Sequence, residues 1–189
     1  GRRANTEGLG LENTDIELRP NGTIVVDEFC QTAVENVFAV GDVNGGLQFT
    51  YVSLDDFRVV NGYLHGNKEY TTADRKNVPY STFISPALSH VGLHKEEAEA
   101  AYPNVAVASL PVANMPRGAV NQDPRGLFRV TVDKDTNLIL GATLFGKNSE
   151  EIINLIKMAI DNKIPYTYIR DQIFTHPTLA ENLNDLFAI

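Results

Sequence analysis

Cysteine is almost missing from this sequence: Cys30 is the only one in 189 residues. A single thiol excludes an internal disulfide framework and any cysteine-rich metal site, and it suits a reducing cytoplasm. Cys30 itself reads as a small, partly buried residue. Basic stripes are absent too, and the net charge is −8, which speaks against electrostatic attachment to nucleic acid or an anionic membrane. The longest apolar runs fall far short of a bilayer span, and no signal-peptide pattern opens the chain. His65, His90 and His94 have no carboxylate or cysteine at ligand spacing. They read as surface or linker histidines, and no metal site is expected. The chain starts without Met and without a strand that could nucleate a fold, so it is expected to be a piece of something longer.

What is present is ordinary globular material, 43% hydrophobic and 21% charged. "TIVVDE" (23–28) is β-branched and follows the turn dipeptide Asn21-Gly22, and "NVFAVGDV" (36–43) is an apolar run broken by Gly-Asp; both predict strands. "TYVSLDDFRVVNGYL" (50–64) has Val52, Leu54, Phe57, Val60 and Leu64 at helical spacing, which predicts an amphipathic helix. The polar stretch 65–77 lacks periodicity and reads as a linker. Beyond it come predicted strands at 79–84 and 104–113, a short acidic helix at 94–102, and a β-hairpin over 126–146 turning at Asp133–Asn137. A helix over 149–164 opens with Ser149 as N-cap and Glu150 and Glu151 in its first turn. Its apolar residues nearly encircle it, which predicts burial in a core or under a partner chain. Short helices follow around 166–174 and after Pro177.

Two stretches carry chemistry. In "FAVGDV" a buried strand ends at Gly41, where a side chain would obstruct close approach, and Asp42 can accept hydrogen bonds from ligand hydroxyls. In "THPTLAE" an imidazole, His176, precedes a proline and a carboxylate, Glu181. Thr178-Leu-Ala-Glu181 is also a capping box by itself, so Glu181 could serve only the backbone. Arg117 and Arg125 stand beside prolines and read as loop arginines.

Taken in order, "GRRANTEGLGLE", "FAVGDV", "PALSHVGLHKEEA" and "HPTLAE" resemble the C-terminal portion of the flavin-dependent pyridine nucleotide–disulfide oxidoreductases. Within them, "GDVNGGLQFTYVSLDDFRVV" and "RDQIFTHPTLAENLNDLF" are similar to the reactive-chlorine-resistance (RclA-type) branch, related to mercuric reductases. Leu54-Asp55-Asp56-Phe57 stands where glutathione reductases carry small residues, which argues against a glutathione or lipoamide substrate. The vicinal Cys-Cys tail typical of mercuric reductases is lacking.

The resemblance implies an α+β fold, a dimerisation domain of antiparallel sheet backed by helices, preceded by part of a FAD-binding domain. It divides the chain into a FAD-domain tail (1–66), a linker (67–76) and the dimerisation domain (77–189). It makes Gly41 and Asp42 neighbours of the FAD ribityl chain. The backbone N–H groups near Phe49, Thr50 and Tyr51 would face the flavin's pyrimidine edge, as a helix N-terminus should. It makes His176 the acid–base partner of redox thiols on the other subunit, oriented by Glu181, with a cis His176–Pro177 bond. The implied parent is a cytoplasmic homodimer using FAD and NAD(P)H on small-molecule oxidants or metal ions, such as hypothiocyanous acid or copper(II). The sequence has no GxGxxG for a pyrophosphate and no cysteine pair, so this chain alone is expected neither to retain FAD nor to act as a reductase. The alternative is a dimerisation or scaffold module without a redox role.

Overall fold

In the computed structural model, residues 2–189 are described, so the first residue of the predicted segment 1–66 lies outside them. The chain forms two compact units that part between Arg75 and Lys76.

The first unit contains one long helix, α1 (Thr50–Leu64). The strands predicted at 23–28 and 36–43 do not form. In their place are tight turns closed by the single bridges Leu18–Ile24 and Gln31–Phe38. The reason is local. Asn21-Gly22, with Gly22 at φ 81°, and the turn ending at Cys30, at φ 63°, reverse the chain before a ladder can extend. Val37 and Val40 stay exposed, whereas Cys30 is fully buried rather than partly so.

The α1 helix is where predicted, but its buried face is not. Val52, Asp56 and Val59 point inward, while Leu54, Phe57 and Leu64 are exposed. A carboxylate occupies the centre of the buried stripe because donors surround it. Tyr63 closes the far end against the rings of Phe29 and Phe38, with centroids 5.1 and 5.7 Å away. Gly66, in the left-handed region at φ 81°, ends the helix. The polar segment that follows is held to this unit: Thr71 and Asp74 form a capping box, and the Thr72 N–H donates to the Glu28 carbonyl at 3.0 Å.

The second unit is a five-stranded antiparallel sheet in the order β1-β2-β5-β4-β3. Its strands are β1 (Tyr80–Thr82), β2 (Leu88–Gly92), β3 (Val105–Pro111), β4 (Leu127–Asp133) and β5 (Ile139–Phe145). The β4–β5 turn is fixed by Asp133, whose carboxylate accepts from the Thr136 hydroxyl at 2.6 Å and the Asp135 N–H at 3.1 Å. Asn137 completes it at φ 60°. Helices α2 (Lys95–Ala101), α3 (Pro116–Val120), α4 (Ser149–Asp161), α5 (Tyr166–Arg170) and α6 (Leu183–Leu186) complete the unit.

The core is made where the alternate residues Phe128, Val130 and Val132 of β4 meet Ile152, Ile153 and Ile156 of α4 and Leu183, Leu186 and Phe187 of the C-terminus. Asn148, left-handed at φ 60°, is the N-cap of α4 in place of Ser149. Ser149 is the first helical residue, and its buried hydroxyl donates to the Ala87 carbonyl at 2.9 Å. Leu155 and Met158 of α4 remain exposed, so its apolar surface is only partly covered within the unit.

Candidate functional site

The sequence-predicted residues fall into two groups, one in each unit. In the first unit, Gly41–Asn44 forms a single 3-10 turn just ahead of α1. Gly41 sits at φ 75°, a backbone conformation that favours glycine, and a Cβ there would lie 2.7 Å from Ser53 Oγ. Asp42 follows on the exposed side with its carboxylate about half accessible; Arg2 Nη1 stands 3.9 Å away. Phe49 is the N-cap of α1, and Thr50 and Tyr51 begin it without a side-chain cap. The first N–H groups of a helix have no intrahelical acceptor and carry the positive end of its dipole.

An exposed carboxylate can accept from ligand hydroxyls, and a helix start without a side-chain cap can meet an electron-rich group.

Sequence reasoning missed what holds this turn. Asp56 Oδ2 accepts from the Gly41 N–H at 2.7 Å and from Asn44 Nδ2 at 3.0 Å. Arg75 reaches back from the end of the unit, with Nη2 2.5 Å from Asp56 Oδ1 and Nε 2.5 Å from Asp55 Oδ2. Tyr70 donates its hydroxyl to Asp55 at 3.0 Å. Burial works against the Arg75 charge, but its hydrogen bonds to Asp56 and Asp55 prevail and raise its pKa. The available signal was the Asp55-Asp56 pair inside a helix that otherwise reads as apolar.

In the second unit, His176 and Glu181 come together. The His176–Pro177 bond is cis. His176 Nδ1 lies 3.0 Å from both Oε1 and Oε2 of Glu181. The imidazole is 72% exposed, whereas the carboxylate is only 16% exposed. Just half of the capping box is present. Thr178 Oγ1 accepts from the Glu181 N–H at 3.1 Å, but the Glu181 side chain turns to the imidazole instead of the backbone. Asn184 Nδ2 donates to the carbonyls of Ile169 and Arg170, each at 2.8 Å, and so ties this segment to α5.

An ionised carboxylate accepts and cannot donate, so it selects the tautomer with hydrogen on Nδ1 and leaves Nε2 bare. A bare, solvent-facing Nε2 on an oriented ring can take a proton and return it.

The remaining histidines differ from expectation in one case. His90 is buried in β2, with Nδ1 2.8 Å from Thr143 Oγ1 and Nε2 3.0 Å from the Gly92 carbonyl, and it stacks on His94. Burial lowers its pKa. No group of three or more His, Cys, Asp or Glu that could hold a metal is found among the described residues. No helix among them is long and apolar enough to cross a membrane.

Comparison with known proteins identifies the family of both units. Residues 78–187 match the pyridine nucleotide-disulphide oxidoreductase dimerisation domain, and residues 1–56 match the pyridine nucleotide-disulphide oxidoreductase family. The chain is 48% identical over its whole length to 43% of the probable pyridine nucleotide-disulfide oxidoreductase RclA of Escherichia coli K12. It is 34% identical over 98% of its length to 39% of the dihydrolipoyl dehydrogenase of Bacillus subtilis 168. Among solved structures it resembles the HOCl-induced flavoprotein disulfide reductase RclA from E. coli, with a TM-score of 0.97 and 48% identity, over all of this chain and 43% of that one. The Cu(II) complex of that reductase superposes with a TM-score of 0.96, also at 48% identity, over 99% of this chain and 42% of that one. The chain therefore spans less than half the length of the relatives it matches.

Proposed function

This chain belongs to the pyridine nucleotide-disulphide oxidoreductase family, whose members are FAD- and NAD(P)H-dependent oxidoreductases, and we propose that it supplies two parts of such an enzyme. The first is a flavin edge made by Gly41, Asp42 and the start of α1 at Phe49, Thr50 and Tyr51. The second is a proton relay made by His176 and Glu181. FAD, when bound, would carry electrons from NAD(P)H towards a thiol–disulfide centre. The Asp42 carboxylate would accept from the cofactor's hydroxyls, and the helix N-terminus would favour negative charge beside it. His176 Nε2 would take the proton of an attacking thiol and give it back to the sulfur that leaves.

The observation that carries the relay is the Glu181 carboxylate turned from its own backbone onto His176 Nδ1. The RclA-type relatives, one with Cu(II) bound, favour a small oxidant or copper(II) as the substrate of the whole protein. Hypothiocyanous acid is such an oxidant. The proposed setting is a cytoplasmic homodimer, in which the exposed Leu155 and Met158 of α4 would meet a second copy. Met158→Glu should then give a monomer in sedimentation at a concentration where the native chain is a dimer.

The test of the relay uses the full-length protein. His176→Ala should leave flavin reduction by NAD(P)H nearly intact and slow the later thiol step by about 10²–10⁴-fold. Glu181→Gln should cost about 10–100-fold, as loss of an orienting partner does. Unchanged turnover in His176→Ala would leave the reading of the chain as a dimerisation or scaffold module.

A further inference from the structure

A carboxylate that is 1% exposed normally needs a reason to be there, and Asp56 has three nitrogen donors besides the Cys30 thiol. They come from three places in the first unit: the Gly41 backbone, the Asn44 side chain, and Arg75 beyond the end of α1. The first two belong to the same 3-10 turn and flank Asp42 on both sides. Oδ2 grips the turn, and Oδ1 is left to the guanidinium, so the two oxygens have separate tasks. Asn44 is fixed further by donating to the Ala39 carbonyl at 3.3 Å and accepting from the Gly46 N–H at 3.0 Å. Among the described residues, the Asp42 side chain pairs with Arg2 at 3.9 Å and makes no such inward contact. Its direction is therefore set by the backbone on either side of it.

We propose that Asp56 and Arg75 form a positioning clamp: Asp56 holds the Gly41–Asn44 turn so that Asp42 presents its carboxylate to the flavin's hydroxyl-bearing chain. Arg75 keeps the buried Asp56 charge paired. Neither residue touches the ligand. The proposal rests on the reading of Asp42 as a flavin contact, and the clamp can be tested with and without that reading.

The cofactor-free chain gives the first readout. Hydrogen exchange at the Gly41 amide should quicken by about tenfold or more in Asp56→Asn, because a neutral acceptor replaces a charged one, with β4 and β5 amides unchanged. Unaltered Gly41 protection overturns the clamp whatever the flavin does. The second readout is FAD affinity of the full-length protein in a double-mutant cycle. Asp56→Asn should weaken FAD by about tenfold in the native background and by less than about twofold in Asp42→Ala. Equal losses in both backgrounds would mean that Asp56 only supports the fold, and no loss in either would remove its role.

If Asp42→Ala alone leaves FAD affinity unchanged, the flavin reading fails and the positioning role falls with it; the Gly41 amide then shows separately whether the clamp exists. Should Asp56→Asn not fold, Asn44→Ala removes the other half of the grip. It should move both readouts in the same direction by less, and no movement overturns the clamp.

Discussion

The two units are held together by different means. In the second, hydrogen-bonded strands β4 and β5 run side by side for seven residues each, and apolar side chains at every second position meet an apolar helix face. Secondary structure and burial specify the same arrangement. In the first unit, bridges are single, and the centre of the helix face is a charge pair rather than a methyl cluster. A repetitive ladder distributes its stability over many equivalent contacts. A polar clamp concentrates it on a few, each with its own geometry, and removing one partner leaves another buried and unpaired.

This contrast is open to direct attack. The largest effect belongs to the apolar core: Phe128→Ala, at a fully buried site between the sheet and α4 and α6, should cost about 3–5 kcal/mol. Denaturant unfolding with site-resolved exchange should show the loss in the second unit. A comparable loss of protection throughout α1 would mean that the units do not respond separately. Next comes a pair of glycines, both in the left-handed region. A Cβ on Gly92, at φ 77°, would lie 2.3 Å from the Leu140 carbonyl oxygen, which belongs to the backbone leading into Gly141. On Gly41 the obstacle is Ser53 Oγ, a side-chain tip that can rotate. Gly92→Ala should therefore cost about 2–4 kcal/mol, and Gly41→Ala only the conformational part of about 1–2 kcal/mol. Adding Ser53→Ala should relieve Gly41→Ala little if the backbone conformation dominates. Equal melting temperatures for the two glycine variants would contradict the distinction.

The same contrast explains what could be read in the sequence. Alternation and helical period announce β3, the β4–β5 hairpin, α2 and α4, because there the local pattern and the final burial coincide. Thr50–Leu64 was legible as a helix for the same reason, but its buried side was not. The apolar residues Leu54, Phe57 and Leu64 suggest one face, and Asp56, satisfied by donors 15 residues before it and 19 after it, creates another. Strand propensity at 23–28 and 36–43 failed because turns at Gly22 and Cys30 cut both segments short. At the candidate sites, family resemblance singled out His176 and Glu181, which their spacing alone leaves as a capping box. Periodicity does not reveal which way Glu181 turns, since a capping box and an imidazole partner use the same letters. Asp56 and Arg75 were illegible as a pair because nothing local links positions so far apart.

The last test concerns pH, and its effect has opposite signs in the two units. Burial, reinforced by the Asp56 carboxylate, pushes the Cys30 thiol up to about 12 from an ordinary value of 9.0. A thiol raised in the folded state contributes stability that is complete below the unfolded value and is lost as the pH climbs towards the folded one. The first unit should thus weaken between about pH 9 and pH 12, because there the unfolded chain releases a proton that the folded chain retains. In the second unit the Thr136 hydroxyl, with the Asp135 N–H, lowers the pKa of Asp133, so that contribution is present above the usual carboxylate value and is lost on acidification. Cys30→Ser, which keeps a small donor towards Asp56 but has no thiol to ionise, isolates the alkaline effect. Unfolding free energies of the native chain and of this variant, measured by urea titration from pH 7 to pH 11, should run parallel up to about pH 9 and converge above it as the native chain loses its thiol contribution. Parallel curves throughout that range would show that Cys30 has no protected thiol, and with it would go the picture of an Asp56 charge buried beside it.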